Sequence, residues 1–249
     1  MTNFKDYFSQ FSQTYAKGRL CYPPELFAYL STLTNEHELA WDCGTGNGQA
    51  AIGLKENYKK IVATDPSPQQ IANCSPGPTI TYLVEAAESS SLSDASADIV
   101  TIGIAIHWFD FDLFYAEVKR VLKKGGIIAA WAYFLPTISV EIDLILKKFT
   151  EKTLKPFWKP EIKLIHEAYK TIPFPFDEIT PPDFVIQKRM NLEDFIEHMY
   201  TWSAVQYYMN EKDSNPVEVI YEELLAAWGS KNEEREIIWK MPLRVGRNN

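Results

Sequence analysis

Between residues 38 and 133 short apolar runs alternate with amphipathic stretches, and the alternation predicts the elements in turn. "ELAWD" (38–42) reads as a strand and "GQAAIGLKENY" (48–58) as a helix. "KIVATD" (60–65) is a second strand, "PQQIANC" (68–74) a short helix and "TITYLVEA" (79–86) a third strand. "ADIVTIGIAI" (97–106) is apolar almost throughout, the pattern of a strand covered on both faces. In "DLFYAEVKRVLKK" (112–124), Val118, Val121 and Leu122 line one side of a helix, while Lys119, Lys123 and Lys124 stay wet. Gly125 and Gly126 are predicted to stop that helix, because glycine takes the left-handed cap conformation cheaply. "IIAAWAY" (127–133) is the fifth strand. Strands alternating with helices imply a doubly wound α/β fold, a mostly parallel sheet of about seven strands with right-handed crossovers.

Elsewhere the texture differs. "ESSSLSDASAD" (88–98) has the composition of a linker, but both flanks are strand-like, so it reads as a loop. Residues 135–182 are rich in Lys, Pro and aromatics, and predict a cap inserted after strand five with a helix near 139–154. "FVIQKRM" (184–190) returns to strand character, and Asn191 is placed to cap the helix of "NLEDFIEHMYTW" (191–202). Residues 216–229 look helical, and "REIIWKMPLRV" (235–245) reads as a last strand that Pro242 pushes toward an edge. Helices are predicted over 4–15 and 24–33. One domain over 1–249 follows: an N-terminal segment (1–37) covering a binding site, a core (38–134), a cap (135–183) and a return to the sheet with helices (184–249).

Composition narrows the chemistry. The 249 residues are 46% hydrophobic and carry a formal net charge of −8, so a nucleic-acid partner, which needs a basic face, is disfavoured. No run of about 18 apolar residues predicts a membrane span, and the polar, aromatic N-terminus lacks the shape of a signal peptide. Cys21, Cys43 and Cys74 form no CxxC pair and suit a reducing, cytoplasmic compartment. His37, His107, His166 and His198 are scattered, so no metal site is expected. There is no GxSxG and no GxxxxGK[ST], which disfavours hydrolases and kinases. Residues 141–170 hold seven lysines against five acids, either a draw for an anionic substrate or a solvated face.

The informative stretch is "AWDCGTGNGQAA" (40–51). Glycines in a strand-to-helix turn let backbone approach a ligand closely, and the helix that follows presents free N–H groups. A dinucleotide fingerprint needs a glycine at position 49, which is Gln49. The spacing present is Asp42-x-Gly44-x-Gly46-x-Gly48, with Asp65 ending the next strand where a ribose-binding carboxylate belongs. With "ATDPS" (63–67), "EAAES" (85–89), "AIHWFD" (105–110) and "VLKKGGIIAAW" (121–131) in the same order and register, the chain resembles the class I S-adenosylmethionine-dependent methyltransferases of type 11. "YAKGRLCYP" (15–23) is similar to the small-molecule subgroup that includes trans-aconitate methyltransferase.

The resemblance implies a Rossmann-like fold, S-adenosyl-L-methionine as cofactor, S-adenosyl-L-homocysteine as product, and a small-molecule acceptor in a monomer or homodimer. It assigns cofactor contact to Gly44, Thr45, Gly46, Gly48, Asp65, Pro66, Ser67, Ala87, Glu88, Ala105 and His107. Asp42 joins them, or else only orients the loop. Tyr15 and Arg19 match the pair near the methionine carboxylate, which an arginine fork suits. Trp108, Trp131 and Tyr133 are candidate walls of the acceptor pocket. His107 is the candidate general base, with lining of the site as its alternative. Methylation of a carboxylate oxygen would need no base. The competing function is a protein of the same fold that binds the cofactor without turnover.

Overall fold

The computed structural model describes residues 20–249. In chain order, helix α1 (Pro24–Thr32) precedes strand β1 (Leu39–Cys43), α2 (Gln49–Leu54), β2 (Lys60–Asp65), α3 (Pro68–Ala72), β3 (Ile80–Val84), β4 (Ala97–Gly103), α4 (Phe111–Val121) and β5 (Leu122–Trp131). There follow α5 (Val140–Lys148), α6 (Ile162–His166), β6 (Asp177–Ile179), β7 (Phe184–Met190), α7 (Leu192–Met199), α8 (Ser203–Lys212), α9 (Tyr221–Trp228), β8 (Arg235–Met241) and β9 (Leu243–Arg247).

Seven strands form one sheet in the order β3-β2-β1-β4-β5-β9-β6. The first five run parallel, and β9 enters antiparallel between β5 and β6. The two-residue period of each strand sorts its side chains to opposite faces. Ala40, Ile99, Ile127, Ala129 and Trp131 pack with α1, α2 and most of the cap helices. Trp41, Cys43, Val100, Ile102, Ile128 and Ala130 pack with α4 and α6. Both faces are therefore covered, as the unbroken apolar run of β4 predicts.

The polar 88–96 loop is ordered by charge-assisted bonds from α4. Glu117 accepts from Ser90 N (2.7 Å) and Ser90 Oγ (2.6 Å), while Arg120 donates to the Leu92 carbonyl (2.7 Å) and Asp94 (2.7 Å). Asn191 caps α7 by accepting from Asp194 N at 2.9 Å, the cap expected from the sequence.

Three expectations are corrected. Gly125 and Gly126 do not stop α4. The helix ends at Val121, where Leu122 turns extended (φ −68°, ψ 135°), and both glycines lie inside β5. The left-handed turn at Gly125 (φ 78°) instead serves the C-terminus, as Gly125 N donates to Asn248 O and Asn248 N to Gly126 O. Second, residues 184–190 do not rejoin the main sheet; β7 pairs only with β8 as a separate antiparallel ribbon. Third, 235–245 is two strands. Pro242 has no N–H to continue a ladder, and the chain changes sheets there, from β8 to β9. The cap is consequently discontinuous: α5 packs against α9 across an interval that includes β6 of the main sheet.

Candidate functional site

The strand order reverses at β1, whose successor β2 lies on one side and β4 on the other. Ligands of open α/β sheets bind at the carboxyl ends of strands at such a point. The glycine loop sits there. Gly44, Gly46 and Gly48 all have positive φ (67°, 56° and 86°), a conformation that costs a side-chain-bearing residue. A Cβ on Gly44 would stand 2.5 Å from Ala105 Cβ, and one on Gly48 2.7 Å from the Tyr82 hydroxyl. The loop is thus pressed between β3 itself and the segment that follows β4.

Asp42 lies behind the loop, at the start of the glycine motif. It is fully buried, and its carboxylate accepts from Thr45 Oγ1 (2.5 Å), Ala51 N (3.0 Å) and, across the β1–β4 pair, Thr101 Oγ1 (2.9 Å). These bonds pin the loop and the start of α2, the orienting role of its two readings. Burial raises its pKa to about 6, against the pull of those three hydrogen bonds. Thr45 spends its hydroxyl on Asp42 and offers a ligand its backbone.

Asp65, half-buried at the end of β2, accepts from Gly46 N (2.9 Å) and Ser67 N (2.9 Å), tying the glycine loop to the second acidic motif. Ser67 caps α3 through Gln70 N (3.3 Å), with Pro66 beside it. Glu88 accepts from Asp110 N (3.0 Å), linking the loop after β3 to the one after β4; Ala87 and Ala105 are buried beside them. Among the described residues, two buried atoms next to the glycines, Tyr82 Oη and Gln49 Oε1, have no hydrogen-bond partner. Such polar atoms, left-handed glycines and a strand-end carboxylate suit a nucleoside-bearing cofactor. Tyr15 and Arg19 lie outside the described residues. Cys43 is fully buried, and burial beside Asp42 pushes its thiol pKa up, so it is a packed residue and not a nucleophile.

Beyond the ends of β4 and β5 opens a cavity of about 120 Å³. Ile104, His107 and Trp108 line it from the core, Tyr133 and Phe134 follow β5, and Trp158 and Trp202 close it from the cap. Ile104 has φ 56° and donates its N–H to Trp131 O at 2.8 Å. A left-handed β-branched residue is an outlier of the kind that collects at binding sites. His107 is 4% exposed; its Nδ1 lies 2.9 Å from Tyr169 Oη, and burial lowers its pKa to about 3. Trp108 and Tyr133 are pocket walls. Trp131 is not: it is fully buried under Gly103, edge-on to Tyr22 (5.3 Å) and Phe27 (6.2 Å). It does end β5, as expected, but it packs inward against α1 instead of lining the cavity.

Sequence reasoning missed Tyr169, His198 and the cap tryptophans as a set. They come from segments far apart in the chain, and no spacing rule joins them. Among the described residues, no cluster of three His, Cys, Asp or Glu side chains stands where it could hold a metal, and no helix is long and apolar enough to cross a membrane.

Residues 41–130 match the family described as a methyltransferase domain. A Dictyostelium discoideum protein named as a methyltransferase is 31% identical over 241 residues, 95% of this chain and 92% of that one. A solved structure from Anaeromyxobacter dehalogenans, assigned as a type II methyltransferase, shares 35% identity and superposes with a TM-score of 0.86, covering 92% of this chain and 98% of that one. A malonyl-[acyl-carrier protein] O-methyltransferase of Marinomonas is 37% identical over 102 residues, 38% of this chain and 37% of that one.

Proposed function

The chain belongs to the class I S-adenosylmethionine-dependent methyltransferases, and from that premise we propose that it binds S-adenosyl-L-methionine at the glycine loop and methylates a small molecule held in the aromatic cavity. The cofactor, when bound, supplies a methyl group already activated by its sulfonium. What remains for the protein is to hold the acceptor in line and exclude water, and orientation alone is worth about 7–11 kcal/mol in favourable cases.

The loop would hold the cofactor through backbone at Gly44, Thr45, Gly46 and Gly48, and Asp65 would accept from ribose hydroxyls. The observation that carries the acceptor reading is the cavity itself. Its volume, about 120 Å³, is close to the ~150 Å³ that takes a benzene ring. Five aromatic side chains, Trp108, Tyr133, Phe134, Trp158 and Trp202, wall it, and among the described residues no Lys, Arg, Asp or Glu does. A flat acceptor about one ring in size suits such walls. A carboxylate acceptor fits the scheme because it needs no base, and O-methylation is what the Marinomonas relative's name records.

Calorimetric titration with S-adenosyl-L-methionine, S-adenosyl-L-homocysteine and NADH is the first test, followed by a screen of single-ring acids and phenols for products heavier by one CH2. Binding of the first two and a methylated product support the proposal. Binding without any product across the screen would favour the non-catalytic alternative, and NADH binding alone would overturn the cofactor assignment.

A further inference from the structure

We propose that Tyr169 fixes His107 as a neutral hydrogen-bond donor, with its Nε2–H aimed at the methyl acceptor, so that the acceptor carries an oxygen that receives this bond. The inference rests on the reading of the cavity as the acceptor pocket.

Tyr169 Oη lies 2.9 Å from His107 Nδ1, and both rings are buried. No other hydrogen bond involves Tyr169 Oη among the described residues. A buried phenol with one neighbour donates its proton to it, since leaving an O–H unpaired costs about 1–3 kcal/mol. Burial also raises the phenol's pKa, so the proton stays on Tyr169. A bond received at Nδ1 leaves the neutral imidazole with its one proton on Nε2. His107 lines the cavity, and its Nε2 has no protein partner among the described residues. In this tautomer Nε2 has no lone pair to take a proton, so His107 is a donor and not the general base.

The fold holds Tyr169 in place at some cost. Ala168 and Tyr169 are both left-handed (φ 54° and 58°), a conformation unfavourable for residues with a Cβ. Arg244, reaching over from β9, donates to the carbonyls of Tyr169 (3.0 Å) and Ile172 (2.6 Å) and is itself paired with Glu178 (2.6 Å). The chain segment after α6 is thus clamped from the sheet, with the phenol pointed at the histidine. Tyr169 is a positioning residue in this scheme.

The test is NMR of the full chain labelled with ¹⁵N-histidine, which needs neither cofactor nor acceptor. His107 is expected to show a bare Nδ1 and a protonated Nε2, unchanged from about pH 5 to 8. Tyr169→Phe should give a mixture of tautomers. A protonated Nδ1 in the wild-type protein, or a His107 that titrates within that range, would overturn the proposal even if the variant fails to fold. A second arm uses acetophenone and ethylbenzene as probes. Both should perturb the Trp108 and Trp158 indole signals, and only the ketone should shift the His107 Nε2–H. Equal shifts, or none, with both probes seated overturn the donor role. Probes that leave both indoles untouched would remove the acceptor-pocket reading, a failure separable from the tautomer result.

Discussion

Asp42→Asn isolates the electrostatics of the pinned glycine loop. In the folded protein the Asp42 carboxyl titrates at about 6, raised chiefly by burial, against an ordinary value of 3.8. The folded state therefore holds this proton more tightly than the unfolded chain does. The stability it contributes is complete below the unfolded pKa, and is lost as pH rises through the folded one. A shift of about two units corresponds to roughly 3 kcal/mol in full, of which about half is lost between pH 5 and pH 7.5. Asparagine keeps a carbonyl for Ala51 N and Thr45, and its amide can donate to Thr101 instead of accepting from it. The assay is urea denaturation of both proteins from pH 5 to 7.5. Asp42→Asn is expected to gain on the wild type by about 1.5 kcal/mol as pH rises across that range. A difference that stays constant with pH would show that the carboxyl does not titrate there, and would refute the burial argument.

Three further outcomes are expected. Gly44→Ala combines a left-handed φ with a Cβ 2.5 Å from Ala105 Cβ, and should cost about 2–4 kcal/mol in denaturant unfolding; a loss below about 1 kcal/mol would mean the loop relaxes freely. Asp65→Ala should weaken S-adenosyl-L-methionine binding at least tenfold by calorimetry, about 1.4 kcal/mol, while circular dichroism keeps the folded spectrum; unchanged affinity removes Asp65 from the site. Arg244→Ala deprives two carbonyls and Glu178 of their donor, and should lower stability by roughly 2 kcal/mol or more and restore the Tyr169→Phe-like mixture of His107 tautomers; a single Nε2–H tautomer in that variant would show that the clamp does not orient Tyr169.

The parallel core was legible because each strand carries a complete signal in its own residues. "ADIVTIG" is apolar on both faces and can only be a covered strand, and the Gly44–Gly48 turn is forced by φ values that glycine tolerates best. The errors arose where local pattern and tertiary pairing part company. Gly125 and Gly126 look like a helix stop, yet the C-terminal Asn248 claims that turn. Strand β7 has strand character but nothing in its residues names its partner, and only β8 completes it. Trp131 shows the limit of periodicity most plainly: Trp131 and Tyr133 share a parity, but the strand ends at Trp131, which packs against Tyr22 and Phe27, while Tyr133 lies past the strand end and reaches the cavity. The aromatic cavity draws on residues from Ile104 to Ser203, and its distant aromatics are neighbours only in the folded chain.

The placement of β9 sets an order for the birth of the protein. A chain leaves the ribosome from its N-terminus, and the strand that joins β5 to β6, Leu243–Arg247, is made after the six other strands of that sheet. Until β9 emerges, β6 has no neighbour in the main sheet and β5 keeps an open edge, the kind of edge that recruits other chains. The clamp of Arg244 on the segment holding Tyr169 arrives with the same five residues. Nascent chains stalled before Leu243 would therefore carry the strands of the glycine loop beside an unclamped Tyr169 segment and an uncovered β5 edge.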